Sequence, residues 1–156
     1  VQVLALRPTV ILDKRSLYMT GGGGGPFYGI RPRNVDLGYH LLLAILNSAL
    51  FGYVVANQST MMRGGYLRFS KQYIEMAPIR LPRPDSPGDT RLRDDIDCLA
   101  TQMLVLHHDL AAAKTTQDKT ALGRQIAATT RQIDHLVYEL YGLTDEEIGI
   151  VEGGRQ

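Results

Sequence analysis

Apolar positions change their spacing twice along the chain. Up to about residue 35 they fall in short runs: Val3-Leu4-Ala5-Leu6, Thr9-Val10-Ile11-Leu12 and Leu17-Tyr18-Met19-Thr20. Runs of this length, split by Arg7-Pro8 and by the polar turn Asp13-Lys14-Arg15-Ser16, predict strands. Five glycines, Gly21 to Gly25, are closed by Pro26, and Phe27 to Arg33 reads as a strand or extended arm. Asp36 then stands where an N-cap belongs. Leu37, Leu41, Ala44, Ile45, Ser48, Phe51 and Val55 follow at steps of three or four, while Leu42, Leu46, Ala49, Leu50 and Tyr53 fill a second face. A helix apolar on most sides is buried, so one long buried helix is expected, ended by Asn57-Gln58-Ser59-Thr60.

The next stretch is polar and dense in chemistry. Arg63-Gly64-Gly65-Tyr66-Leu67-Arg68-Phe69-Ser70-Lys71-Gln72-Tyr73 sets three cations and three aromatics around a glycine pair, with no acid before Glu75. Paired glycines admit positive φ and close backbone approach. Arg and Lys supply donors for phosphates and base edges, and aromatics supply stacking faces. A nucleic-acid-contacting loop fits this pattern. One helical turn is expected at Ser70 to Ile74. Ala77 to Pro82 is extended, because prolines at 78, 82 and 84 forbid a helix. Phe69 is the aromatic expected to pin the loop to the core.

Pro84-Asp85-Ser86-Pro87-Gly88 reads as a linker, and beyond it the grammar is heptad. Leu92, Ile96, Leu99, Met103, Leu106, Leu110 and Ala113 alternate steps of four and three, as do Leu122, Ile126, Thr129, Ile133, Leu136 and Leu140. Two seams separated only by Lys114-Thr115-Thr116-Gln117-Asp118 predict antiparallel neighbouring helices. Thr129 is a polar position on the seam. Gly142 is placed to end the second helix, and Thr144-Asp145-Glu146-Glu147 is a capping box for a last short one.

Charge sharpens the division. Residues 1–83 hold 10 Lys/Arg against 3 Asp/Glu, and residues 84–156 hold 7 against 13, nets of +7 and −6. A basic half suits an anionic partner. Six of the eight tyrosines lie in that half. No run approaches the roughly 18 apolar residues of a membrane span, and no membrane partner is expected. The single Cys98 excludes an internal disulfide and fits a reducing cytoplasm; it reads as a small packing residue beside Leu99. His107 and His108 are adjacent and diverge on a helix, so they read as no metal pair. Asp94, Asp95 and Asp97 read as a solvated face. The start at Val1, in an apolar run without Met, reads as a fragment of a longer protein.

Four blocks together resemble a known family: Leu43-Ala44-Ile45-Leu46-Asn47-Ser48; Ser59 to Tyr66; Phe69 to Ile79; and Ile133-Asp134-His135-Leu136-Val137-Tyr138-Glu139-Leu140-Tyr141-Gly142-Leu143-Thr144. Over roughly residues 10–152 the chain resembles the TaqI-like C-terminal specificity domain of adenine-N6 DNA methyltransferases, including type IIG restriction-modification enzymes. It is more distantly similar to the target recognition domains and helical spacers of type I specificity subunits. The resemblance implies a module that reads double-stranded DNA so that an upstream methyltransferase domain of the same protein can flip and methylate one adenine. It implies that Arg63, Gly64, Gly65, Tyr66, Arg68 and Lys71 face DNA, with Lys14, Arg15, Arg31 and Arg33 extending the footprint. It places S-adenosylmethionine in the catalytic domain, with no cofactor in this chain.

The family's catalytic motif, of the Asn-Pro-Pro-Tyr type, is not here, since the chain has no Pro-Pro pair. The glycine run fits neither G-x-G-x-x-G nor a P-loop. No catalytic residue is therefore assigned to this chain, and a methyltransferase, with or without a fused nuclease, is expected upstream. The fold expected is α+β: a mixed, mainly β recognition lobe with the long helix (1–84), a linker (85–88), and an antiparallel two-helix coiled-coil-like spacer with a short last helix (89–152). The alternative function is protein–protein interaction, with the helical hairpin docking a partner subunit.

Overall fold

A computed structural model describes residues 4–13, 29–32, 38–59 and 62–153. Within them the mainly β lobe is not found. Helix accounts for 67% of these residues and strand for 3%. The sheet is one antiparallel pair, β1 (Leu4–Ala5) and β2 (Leu67–Arg68), in the register Leu4↔Arg68 and Ala5↔Leu67. Six helices make up the rest: α1 (Tyr39–Asn47), α2 (Ala49–Gln58), α3 (Lys71–Met76), α4 (Pro87–Ala112), α5 (Thr116–Tyr141) and α6 (Asp145–Gly153).

One of the expected strand runs, Thr9 to Leu12, does not form, for a physical reason. β1 ends at Ala5, Leu6 and Arg7 bend away, and Pro8 beyond them is buried against α2. A Cβ on Gly52 would lie 3.1 Å from Pro8 Cδ, so a larger residue there would require the proline to shift by a few tenths of an ångström. Thr9 to Leu12 is then irregular. Its polar backbone is satisfied by one side chain instead of a ladder: Val10 N–H donates to Asn47 Oδ1 at 2.9 Å, and Asn47 Nδ2 donates to Val10 C=O at 2.9 Å. The run Leu17 to Thr20, the glycine run and residues 27, 28 and 33 of the arm lie outside the described residues, as does Asp36; residues 29–32 are irregular, not a strand.

The single long helix is also corrected. It is two helices bent by 58°, and the break is at Ser48. Ser48 Oγ donates to Ile45 C=O at 2.7 Å and accepts from Phe51 N–H at 3.2 Å, capping α2 with the hydroxyl. Serine side chains offer the backbone such alternatives to helix. The first N–H of α2, on Ala49, is taken by Asp134 Oδ1 of α5 at 2.7 Å. The N-cap of α1 is Gly38, at φ 73°. α1 and α2 are apolar enough together to resemble a bent membrane span, yet Leu41, Leu42, Ala44, Ile45, Leu46, Phe51 and Val55 are buried in the protein. No single helix among the described residues is long and apolar enough to cross a membrane.

The hairpin forms as the seams predict. α4 and α5, each 26 residues or about 39 Å long, are joined by residues 113–115. Ile96, Leu106, Thr129, Ile133 and Leu140 are buried, and the other seam positions are half-buried. Ala100 and Val137 are buried too, because α1 lies against the hairpin and brings Leu41, Ala44 and Ile45 into one cluster with them. A second cluster joins Ala5, Leu42, Leu46, Phe51, Val55, Leu67, Phe69 and Ala77 under the β pair. Gly142, at φ 70°, ends α5 in the left-handed region, and Leu143 N–H donates to Tyr138 C=O at 3.0 Å. The capping box closes as expected: Thr144 N–H donates to Glu147 Oε2 at 2.8 Å and Glu147 N–H to Thr144 Oγ1 at 3.3 Å. The Thr144 N–H, first, and the Thr144 hydroxyl, which donates to Oε2 at 3.1 Å, hold the Glu147 carboxyl below its ordinary range.

The segment between the clusters is tied down at both ends. Tyr141 Oη donates to Pro78 C=O at 2.9 Å and accepts from Arg80 N–H at 3.0 Å. Asp89 Oδ2 accepts from Arg83 N–H at 2.9 Å and from Arg80 Nη2 at 3.3 Å, and it lies 3.5 Å from Arg83 Nε. Pro87 and Gly88, expected in the linker, are the first residues of α4, with Ser86 as N-cap.

Candidate nucleic-acid interface

The cationic loop is a tight turn carried on the β pair. Met62 N–H donates to Tyr66 C=O at 2.8 Å and Gly65 N–H to Met62 C=O at 3.1 Å. Gly64 and Gly65 stand at φ 87° and 79°. Both are in the region that side chains disfavour, so the turn needs the pair. From Leu67 the side chains alternate, as a strand requires. Leu67 and Phe69 are buried, Phe69 fully, while Tyr66 and Arg68 are exposed. Phe69 thus pins the loop, as expected, and Tyr73 packs partly buried against the same cluster.

The base of the turn is fastened to α2. Ser59, which ends that helix, accepts from Arg68 N–H through Oγ at 3.0 Å and donates to Arg68 C=O at 3.1 Å. One serine thereby satisfies both backbone groups of Arg68. The cationic side chains stand on a framework set by α2, Phe69 and β1, not on a free loop.

Their electrostatics separate them from the other cations. Arg63, Arg68 and Arg31 are exposed and join no ion pair among the described residues. Lys71 is exposed and lies 3.6 Å from Glu75, an exposed i,i+4 pair that holds its charge weakly. Arg80 and Arg83 instead surround the buried Asp89. The Asp89 carboxyl is held below its ordinary range, first by the Arg83 backbone N–H, then by Ser86 and the two guanidinium groups, against the opposing cost of burial. Arg80 and Arg83 are therefore already partnered, whereas Arg63 and Arg68 stand near each other on the turn with no ion pair among the described residues.

The structure brings Arg63, Gly64, Gly65, Tyr66 and Arg68 together in this turn, with Lys71 opening α3 just beyond it. Arg31 lies on the separate segment 29–32. Lys14, Arg15 and Arg33 lie outside the described residues. One cation missed in the sequence is Arg7. It is exposed, joins no ion pair among the described residues, and follows β1, where it lines one cleft with Leu6 and Gly65. No local signal marks it, because only the pairing of residues 4–5 with 67–68 brings it there.

Other chemistry-bearing residues settle as follows. Cys98 is exposed, not packed as expected. It lines a shallow groove of about 680 Å³ on the outer face of the hairpin with Leu99, Ala128, Arg131, His135 and Leu136. His107 and His108 are exposed. Asp97 departs from the solvated face: its Oδ1 is buried and meets no hydrogen-bond partner among the described residues. No group of three or more His, Cys, Asp or Glu among the described residues is placed to hold a metal ion. Nor do they contain a strand followed by a glycine turn and helix that would fit an adenosine cofactor: β1 leads into Pro8, and β2 into Phe69 and Ser70.

Against known proteins, the chain is similar to the type II methyltransferase M.PaeR7I of Pseudomonas aeruginosa. The two are 34% identical over 158 aligned positions, covering 96% of this chain and 22% of that protein. The chain thus spans about a fifth of the length of the curated relative it matches. No family model matches it, and no solved structure matches it. The similarity relates the chain to restriction-modification methyltransferases.

Proposed function

We propose that this chain is the DNA-recognising part of an adenine-N6 restriction-modification methyltransferase, akin to the TaqI-like specificity domains. The observation that carries the reading is the turn at Met62 to Tyr66. It presents Arg63 and Arg68 without partner carboxylates on a framework fixed by Phe69 and Ser59. Similarity to a type II methyltransferase along nearly the whole chain supports it. In this role the cations hold phosphates and fix register, and a guanidinium reads a guanine edge. The reacting adenine and S-adenosylmethionine belong to a catalytic domain outside these residues, in the cytoplasm.

The test is binding to a randomised duplex pool at about 50 and 200 mM salt, followed by sequencing of the retained molecules. Enrichment of a short motif supports sequence reading. The double change Arg63→Ala with Arg68→Ala should lower the salt slope by about two, one for each phosphate no longer neutralised. An unchanged affinity and slope would remove the turn from the DNA surface.

A second reading rests on the hairpin groove at Cys98, Leu99 and Leu136, where a partner subunit would dock. It predicts that Leu136→Asp leaves DNA binding intact and changes the mass of the assembly in solution.

A further inference from the structure

The β pair has two faces, and its register assigns residues to each. Ala5 and Leu67 are directly opposed and both buried. Leu4 and Arg68 are opposed and both exposed. The ladder ends at this pair: Leu6 follows β1 in a bend and Tyr66 precedes β2, and these are 63% and 44% exposed. Leu4 and Arg68 therefore mark the outward face of the pair, and the exposed Leu6 and Tyr66 stand just beyond its end. A Cβ on Gly65 would lie 3.9 Å from Leu6 Cδ2, so the turn and Leu6 are neighbours.

This face is unusual for a solvated edge. Three large apolar or aromatic side chains are exposed there, and its charges among the described residues are all of one sign. Arg68 lies on it, Arg7 and Arg63 flank it, and none of the three has an ion-pair partner among the described residues. A partner protein complementary to it would have to be both apolar and acidic. Duplex DNA offers both properties at once: a phosphate rim, and thymine methyl groups in a major groove wide enough for a two-stranded ribbon.

We infer that the outward face of the β1–β2 ribbon enters the DNA major groove, with Leu6 touching a thymine methyl group and Arg7 holding the adjacent phosphate. The inference rests on the DNA-binding reading above and adds two residues to it. The apolar contact confers base preference, whereas the arginine adds affinity without preference.

The experiment uses the intact protein and the duplexes retained by selection. Each thymine is replaced singly by deoxyuridine, which removes only the methyl group. The unaltered protein should lose about fourfold in affinity at one such position, as one buried methyl group predicts. The Leu6→Ala variant should show no further loss there. Leu6 is mostly exposed, so the variant keeps the fold, checked by circular dichroism. Arg7→Ala should lower the salt slope by about one. The ribbon inference is overturned if Leu6→Ala keeps its sensitivity to every deoxyuridine, or if Arg7→Ala leaves the slope unchanged while the Arg63 and Arg68 changes lower it. If those two changes also leave the slope unchanged, the DNA-binding reading itself falls. A Leu6→Ala variant that binds DNA normally but changes the mass of the assembly would assign the face to a protein contact.

Discussion

Asp134 Oδ1 lies 2.7 Å from the Ala49 backbone nitrogen, a bond between residues 85 positions apart. It joins the hairpin to the point where the apolar helix breaks. Helix N-termini expose backbone donors that need partners, and a carboxylate is the favourable partner there. Asp134→Ala should leave this buried N–H without its acceptor and destabilise the protein by about 1–3 kcal/mol. Asp134→Asn, which keeps an oxygen at the same place, should lose less. Urea unfolding of the two variants checks the order. Equal losses would show that the acceptor is not what matters at this site.

The turn makes a separate prediction. Gly64 and Gly65 stand at φ 87° and 79°, and a Cβ on either meets nothing closer than 3.5 Å. The obstacle to alanine is therefore backbone conformation and not space. A left-handed alanine costs roughly 1–2 kcal/mol, enough to shift the turn to another geometry. Gly65→Ala should reduce DNA affinity while leaving the salt slope near its original value, because every cation is still present. A slope that falls with affinity would mean that the change has unseated the arginines.

How much of this can be read in the sequence depends on how local each cause is. The heptad seams on α4 and α5 are repeats within one element, and Ile96, Leu106, Ile133 and Leu140 are buried as the seams require. The capping box at Thr144 and the turn at Gly142 depend on neighbours within four residues, and both stand. The cationic turn is contiguous and is legible for the same reason. The mainly β lobe is a misreading because short apolar runs do not separate a strand from a pinned coil. Asn47, 37 positions from Val10, decides that case. The helix break is hidden because the periodicity runs straight through Ser48, whereas Asp134 supports the break from α5. Arg7 and Leu6 join the candidate site only through the pairing of the adjacent Leu4 and Ala5 with Arg68 and Leu67. Local chemistry is legible, and the long-range pairings that assemble the site are not.

Acid should attack the segment between the lobe and the hairpin. Asp89 titrates below the ordinary carboxylate value of about 4 in the folded protein. Its contribution to stability is complete above that ordinary value. It is lost as the pH falls from there through the depressed folded value, because the unfolded chain takes up the proton first. Asp89→Asn should lower stability at neutral pH and remove part of the decline between about pH 5 and pH 2. Unfolding midpoints measured across that range decide it. A variant whose curve stays parallel to that of the original protein would mean that the acid sensitivity arises elsewhere, with Glu147 the next carboxylate to test.

Tyr141 carries the last prediction, at the opposite end of the pH scale. Its hydroxyl bridges Pro78 C=O and Arg80 N–H, and burial raises its pKa above the ordinary value near 10, against the lowering influence of Arg80. A group that holds its proton more tightly when folded stabilises fully below its unfolded pKa. That stability is lost as the pH rises from about 10 through the raised folded value, because the unfolded chain ionises first. Tyr141→Phe should cost about 0.5–1.5 kcal/mol at neutral pH, the net value of a hydrogen bond. It should also flatten the decline above pH 10. The readout that separates this from simple loss of packing is the pH dependence: phenylalanine keeps the ring and removes the hydroxyl, with its hydrogen bonds and its titration. If the variant is less stable but declines as steeply in alkali, then other groups govern the alkaline limb, and the Tyr141 bridge acts only as a structural bond.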